Sequence, residues 1–165
     1  MMVMHNGCLV TMAIEEQLTT AAAAASTTIS SPKQVDFVGI FRLESSENFD
    51  QFLKVLGVGY FKRWMATNAK PDYIITKDKN DYYTLRTLTS ISDSSITFKN
   101  STEFTENRLD GKKVRAKIII LGNRWIHTQN GVPFVTVIRD FTSNSVLVTS
   151  EAAGIVSVRK YLRIK

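Results

Sequence analysis

From residue 35 to the end of the chain, apolar and polar residues alternate in short runs separated by turn residues, and one stretch departs from that rhythm. Phe37, Gly39, Phe41 and Leu43 keep one phase of a period of two, which predicts a first strand with these positions on a single face. After Asn48 the spacing changes. Phe49, Phe52, Leu53, Leu56 and Tyr60 recur at three and four residues, the period of an amphipathic helix. Gly57 and Gly59 interrupt it, a second short helix is predicted over 60–68, and both end before Pro71. The helices look too short to read DNA and carry no cluster of polar base readers.

Beyond Pro71, strand-like runs are predicted around 73–77, 82–89, 94–98, 102–108, 112–121, 124–129, 133–141, 145–150 and 155–163. Turn signals separate them: Lys79-Asn80-Asp81, Asp110-Gly111, Gly122-Asn123, Asn130-Gly131 and Ser143-Asn144. About ten short, evenly spaced strands predict an antiparallel meander that closes, or nearly closes, so that few edges remain. The expected fold is therefore mainly β: a ten-stranded antiparallel up-and-down β-barrel capped by a short helix–turn–helix. A barrel of that strand number is wide enough to leave a cavity.

Residues 1–34 have a different character. An alanine run at 21–25 is followed by a polar stretch containing Ser26, Thr27, Thr28, Ser30, Ser31 and Pro32, which predicts a low-complexity, disordered or weakly helical N-terminal extension. The domain is then expected over 35–165. The first residues carry no Lys or Arg and run straight into Glu15 and Glu16, unlike a secretory signal, so the expected location is cytoplasmic. Secretion is the secondary reading, resting on the alanine run as a cleavage region. Only in that case does the sequon Asn100-Ser101-Thr102 matter. No run of 18 apolar residues is present, so an ordinary transmembrane helix is not expected. One cysteine, Cys8, excludes an internal disulfide framework and a multi-cysteine metal site.

The net charge is +6, and residues 35–165 hold 20 Lys and Arg against 13 Asp and Glu. Such an excess favours anionic partners without choosing among nucleic acid, a membrane surface or a small molecule; it also suits a simply solvated surface. Nucleic acid is not expected, because the aromatics fall in apolar phase or on the helices rather than among exposed Lys and Arg. Chemistry for catalysis is poorly supplied. His5 and Cys8 lie in the extension, and His127 on a strand reads as a satisfied side chain. Gly57-Val58-Gly59 lacks the third glycine and following Lys of a phosphate loop. A calcium loop opening at Asp78 would need glycine where Tyr83 stands and glutamate where Thr89 stands. No enzyme, cofactor or metal site is expected.

The most informative residues are arginines in apolar phase. Strand periodicity places Arg139 on one face with Val135, Val137 and Phe141. A guanidinium stays charged at ordinary pH, so on that face it needs water, a carboxylate or a bound anion; the alternative is a rim arginine whose stem covers apolar surface. Arg159 and Tyr161 also share a face, opposite Val156, Val158 and Leu162. Two arginines and a phenol match one carboxylate, and an apolar cavity wall around them would suit an amphipathic acid.

Several stretches resemble the intracellular lipid-binding proteins, the fatty-acid-binding protein family. They are Gly39-Ile40-Phe41-Arg42-Leu43, Asn48-Phe49-Asp50-Gln51-Phe52-Leu53 with Leu56-Gly57-Val58-Gly59, Lys70-Pro71, Ile96-Thr97-Phe98-Lys99, Glu103-Phe104 and Lys112-Lys113-Val114. Arg139 and Arg159-Lys160-Tyr161 fall where that family places its carboxylate-binding residues. The similarity spans roughly residues 35–165 and leaves 1–34 without a counterpart.

The resemblance implies a calycin-type, lipocalin-like barrel that carries a long-chain fatty acid. Arg159 and Tyr161 would contact the carboxylate directly, and Arg139 directly or through water. Cavity or portal would be lined by Phe49, Phe52, Leu53, Val58, Ala66, Pro71, Ile91, Gln129 and Val137. Contact with anionic membranes through Lys54, Lys62, Arg63 and Lys70 is implied, as is a monomer. A retinoic-acid carrier of the same family is the alternative, since those relatives also use two arginines and a tyrosine; retinol binders usually carry glutamine there. Departures from the pattern are Phe41 for the usual tryptophan, Ile91 and Ser92 at the portal, and Lys112 at a basic cavity-facing position. Trp125 either enters the cavity and shortens it or packs outside.

Overall fold

The computed structural model describes residues 34–90 and 92–165. The expected extension, apart from Gln34, and the portal position Ile91 lie outside the described residues. The strands are β1 (Gly39–Glu47), β2 (Asp72–Lys77), β3 (Tyr82–Leu88), β4 (Asp93–Lys99), β5 (Glu103–Asn107), β6 (Lys113–Leu121), β7 (Arg124–Asn130), β8 (Val135–Phe141), β9 (Ser145–Ala152) and β10 (Ile155–Arg163). Two helices, α1 (Phe49–Val55) and α2 (Tyr60–Asn68), connect β1 to β2.

All ten strands form one sheet in the order β4-β3-β2-β1-β10-β9-β8-β7-β6-β5. Each neighbour is antiparallel, because short turns can only return a chain alongside itself in that sense. The β1–β10 ladder joins the two ends of the meander and curls it into a nearly closed barrel, with β4 and β5 as its margins, unpaired to each other among the described residues. The register slips between Leu43 and Ser45 on β1, a bulge that bends the strand as it passes from β2 to β10.

One element differs from the sequence reading. Phe37 does not sit on the first strand: β1 begins at Gly39, and residues 34–38 are irregular. Val35 donates to Asn123 Oδ1 (2.9 Å), and Arg163 donates to the Val38 carbonyl (2.7 Å) and the Ser143 carbonyl (2.7 Å). Held this way, Phe37 closes one end of the barrel against Phe141 (4.8 Å between ring centroids) and Trp125 (5.2 Å). Phe98 and Tyr83 meet the same indole edge-on, at 5.1 and 5.3 Å. Trp125 is therefore inside, fully buried, as part of an aromatic floor.

At the other end lies the helical pair. α1 starts at Asn48, whose left-handed backbone (φ 54°) an asparagine tolerates, and buries Phe49, Phe52 and Leu53. Removing each such side chain from water contributes about 1.5–3 kcal/mol. α2 buries none of its residues and exposes Tyr60, Phe61 and Trp64. Arg63 fastens the helices together, donating to Asp50 (2.8 Å) and to the Val58 carbonyl (3.0 Å).

Candidate functional site

Between the aromatic floor and α1 the barrel encloses a cavity of about 360 Å³. The strand period decides what faces it. β7 turns Trp125, His127 and Gln129 inward, and β8 turns Val135, Val137, Arg139 and Phe141 inward. β10 points Ser157, Arg159 and Tyr161 inward and leaves Val156 and Leu162 exposed on the outer face. The apolar side of β10 is thus the outside of the barrel, the reverse of the usual arrangement. Arg139 and Arg159 are 6% and 8% exposed, so both guanidinium groups belong to the interior rather than the rim.

Arg139 enters a chain of polar contacts. Its Nη1 lies 3.4 Å from His127 Nδ1, His127 Nε2 lies 2.6 Å from Glu106 Oε1, and Gln129 Nε2 donates to the same oxygen at 2.9 Å. A guanidinium can only donate, so Nδ1 must be the acceptor and the imidazole proton sits on Nε2, facing the carboxylate. His127 is accordingly neutral and Glu106 ionised. Burial drives the His127 pKa below its ordinary value, and repulsion from Arg139 adds to this, against the opposing pull of Glu106. Burial opposes ionisation of Glu106, yet the hydrogen bonds from His127 and Gln129 and the nearby Arg139 prevail and hold its carboxyl below the usual range.

Arg159 is placed differently. Among the described residues it has no hydrogen bond or ion pair; its guanidinium lies 4.0 Å over the Phe49 ring and 5.5 Å from the Tyr161 ring. Cation–π contact lowers the cost of such burial without neutralising the charge. The Nε atoms of Arg139 and Arg159 and the Tyr161 hydroxyl are buried without hydrogen-bond partners among the described residues. Tyr161 stacks on Tyr73 at 4.1 Å, and Arg139 stands 5.9 Å from the Tyr73 ring. Burial disfavours a charged phenol at both tyrosines. Even so, Arg139 and Arg159 draw Tyr73 below its ordinary pKa, while Tyr161 is pushed well above.

The structure brings Phe49, Phe52, Gln129, Val137, Arg139 and Arg159 to the cavity wall. Tyr161 stands immediately behind, stacked on cavity-lining Tyr73. Leu53 packs in the apolar core, Ala66 lies half-buried against it, and Pro71 is buried; none of the three lines the cavity. Val58 is buried beside a separate groove between the interhelical turn and Leu109-Asp110. Lys54, Lys62 and Lys70 are exposed on the cap, whereas Arg63 is occupied by Asp50 and Val58.

The basic cavity-facing position expected at Lys112 is corrected. Lys112 lies in the turn before β6 and is exposed, with Nζ on the Val132 carbonyl (3.2 Å). The buried cation there is Arg108, which grips Asp110 (2.7 Å) and the Pro133 carbonyl (2.7 Å) and so ties the β5–β6 turn to the β7–β8 turn. Its guanidinium presses on Gly131, where a Cβ would come within 2.9 Å of Nη1.

Sequence reasoning missed Glu106, Tyr73 and Arg108 as cavity residues. The signal for two of them was weak: Phe104, Glu106 and Arg108 share one phase of β5 and its continuation, but only Phe104 is apolar there, whereas Arg139 stands among three apolar residues. Among the described residues no group of three His, Cys, Asp or Glu side chains could hold a metal, and no helix is long and apolar enough to cross a membrane.

An up-and-down barrel of ten strands, enclosing a partly charged cavity beneath two helices, defines a lipid-binding barrel. No protein-family model matches the chain. Over 130 residues it is 40% identical to a fatty acid-binding protein of Tyrophagus putrescentiae, a match covering 78% of this chain and 98% of that protein. Its fold matches a fatty acid-binding protein from brain tissue of Drosophila melanogaster, with TM-score 0.75 and 38% identity over 77% of this chain and 99% of the other. It also matches a Schistosoma mansoni fatty acid binding protein in complex with arachidonic acid, with TM-score 0.74 and 26% identity over 78% and 96% of the two chains. The chain belongs to the fatty-acid-binding protein family, whose members are non-enzymatic carriers.

Proposed function

We propose that this protein binds one long-chain fatty acid in the barrel cavity and transports it through the cytosol as a monomer. The carboxylate lies against Arg159 and Tyr161, with Arg139 as a further donor, and the chain runs along Phe49, Phe52 and Val137. The observation that carries this reading is Arg159: a cation buried inside the barrel, with no anionic partner among the described residues. An acid-headed guest supplies that partner, and each methylene it buries contributes about 0.8 kcal/mol. The arachidonic acid complex of the Schistosoma mansoni relative supports the ligand class.

Displacement of a fluorescent fatty-acid probe by oleate tests the reading, with retinoate as the comparator. Arg159→Ala should weaken oleate by about 1.5–3 kcal/mol, the scale of a charge-assisted hydrogen bond, and hardly affect its methyl ester. Equal loss for acid and ester would make Arg159 a structural residue and refute this reading.

Delivery is assigned to the cap. Exposed Lys54, Lys62 and Lys70 accompany Tyr60 and the stacked pair Phe61–Trp64, a combination of cationic and interfacial aromatic side chains suited to an anionic bilayer surface. Probe transfer to phosphatidylserine vesicles should be faster than to neutral ones and should slow in salt. Identical rates to both vesicle types would remove the membrane from the account.

A further inference from the structure

The cavity's charges can be counted one by one. Arg139 and Arg159 are buried cations, and Glu106 is a buried carboxylate. His127 is neutral by its contacts, accepting from Arg139 at Nδ1 and donating to Glu106 from Nε2. The remaining ionic residues on the wall are already paired: Arg108 with Asp110 at 2.7 Å, and Asp93 with Arg86 in a two-pronged contact across β3 and β4. Among the described residues, one positive charge is left without compensation. Arg139 faces Glu106 across the imidazole, so the excess falls on the Arg159 side.

Resting on the carrier reading above, we infer that Glu106 is a specificity-determining residue that limits the cavity to singly charged head groups. A single carboxylate brings the enclosure to neutrality. A dianion, such as a phosphate monoester, leaves one negative charge buried, and in a low-dielectric interior an unmatched charge is strongly penalised. Glu106 is suited to this role because it is fixed. His127 and Gln129 both donate to its Oε1, which keeps it ionised and held in place on the cavity wall. A neutral residue of the same shape would leave the two arginines with a net charge matched to a dianion.

Glu106→Gln is the discriminating variant, because a glutamine carbonyl still accepts from His127 and Gln129 and only the charge is lost. The probes are an alkyl sulfate and an alkyl phosphate of equal chain length, both tetrahedral, measured by displacement of the fluorescent fatty-acid probe. At about pH 8 the phosphate is a dianion and the sulfate a monoanion. The wild-type protein should prefer the sulfate by about tenfold or more, and Glu106→Gln should shrink that preference by a similar factor.

A measurement without substitution gives the same answer independently, should the variant fail to fold. Lowering the pH to about 5 makes the phosphate singly charged, so the wild-type preference should shrink, with the sulfate correcting for changes in the protein itself. A sulfate-to-phosphate ratio that Glu106→Gln leaves unchanged would overturn the inference, as would a wild-type protein that binds the dianion as tightly as the monoanion. Oleate would still displace the probe in both cases. Failure of oleate to bind the wild type would instead overturn the carrier reading and this inference together.

Discussion

The two halves of the barrel interior are built from the same strands and follow opposite rules. At the floor, β7 contributes Trp125 and β8 contributes Phe141, closed over by Phe37 in a buried aromatic cluster. Two residues along each strand, about 7 Å away, β7 contributes His127 and β8 contributes Arg139. The floor removes apolar surface from water and stabilises the fold. The chamber above it keeps charge from water, which costs stability; on the proposed function an acidic guest offsets that cost. One end of the barrel is packed apolar core; the other holds the charges on which the proposed binding rests.

The largest expected effect tests the floor. Trp125→Ala should destabilise the protein by about 3–5 kcal/mol in denaturant unfolding, the range for emptying a packed aromatic site. A loss below about 1 kcal/mol would show that the aromatic cluster is not a stabilising core.

The chamber should respond in the opposite sense. Arg159→Met, which on the proposed function should weaken acid binding, should raise the unfolding midpoint of the ligand-free protein, because it replaces an unmatched buried cation by a side chain that packs. A lowered midpoint would mean that Arg159 supports the fold through Phe49 and Tyr161, and the division between the two halves would fail.

A smaller effect separates paired from unpaired charge. The hydrogen bond from Arg108 holds the Asp110 carboxyl at about 2, below its ordinary value of 3.8. Because the folded value lies below the unfolded one, the stabilisation is fully present above about pH 4 and disappears as the pH falls toward 2. It amounts to something on the order of 2 kcal/mol. Unfolding curves across that window should show Asp110→Asn losing the acid-dependent part, and the wild type and variant should converge near pH 2. Parallel curves would place the acid sensitivity elsewhere.

Much of this organisation was legible beforehand. Periodicity separated the ten strands from the helical pair, and the shared phase of Arg139, Val135, Val137 and Phe141 pointed to a charged residue on an inner wall. Arg159 was harder, because its strand carries the apolar residues Val156 and Leu162 on the outside. Hydrophobicity alone assigns such a strand the wrong inner face. Phe37 extended the strand pattern perfectly yet serves as a plug, since Arg163 and Asn123 capture the backbone around it from distant parts of the chain. Arg63, a basic residue on a helix, looked free until Asp50 was seen beside it.

What the chain determines locally is which element each segment forms and which residues share a face, because the periods of strand and helix are properties of neighbouring residues. Only closure of the barrel decides which face becomes the interior and which charges meet there. Glu106 and His127 are 21 positions apart and join only because β5, β6 and β7 pair in register. The ionic balance of an enclosed space depends on long-range pairing, so no local pattern contains it.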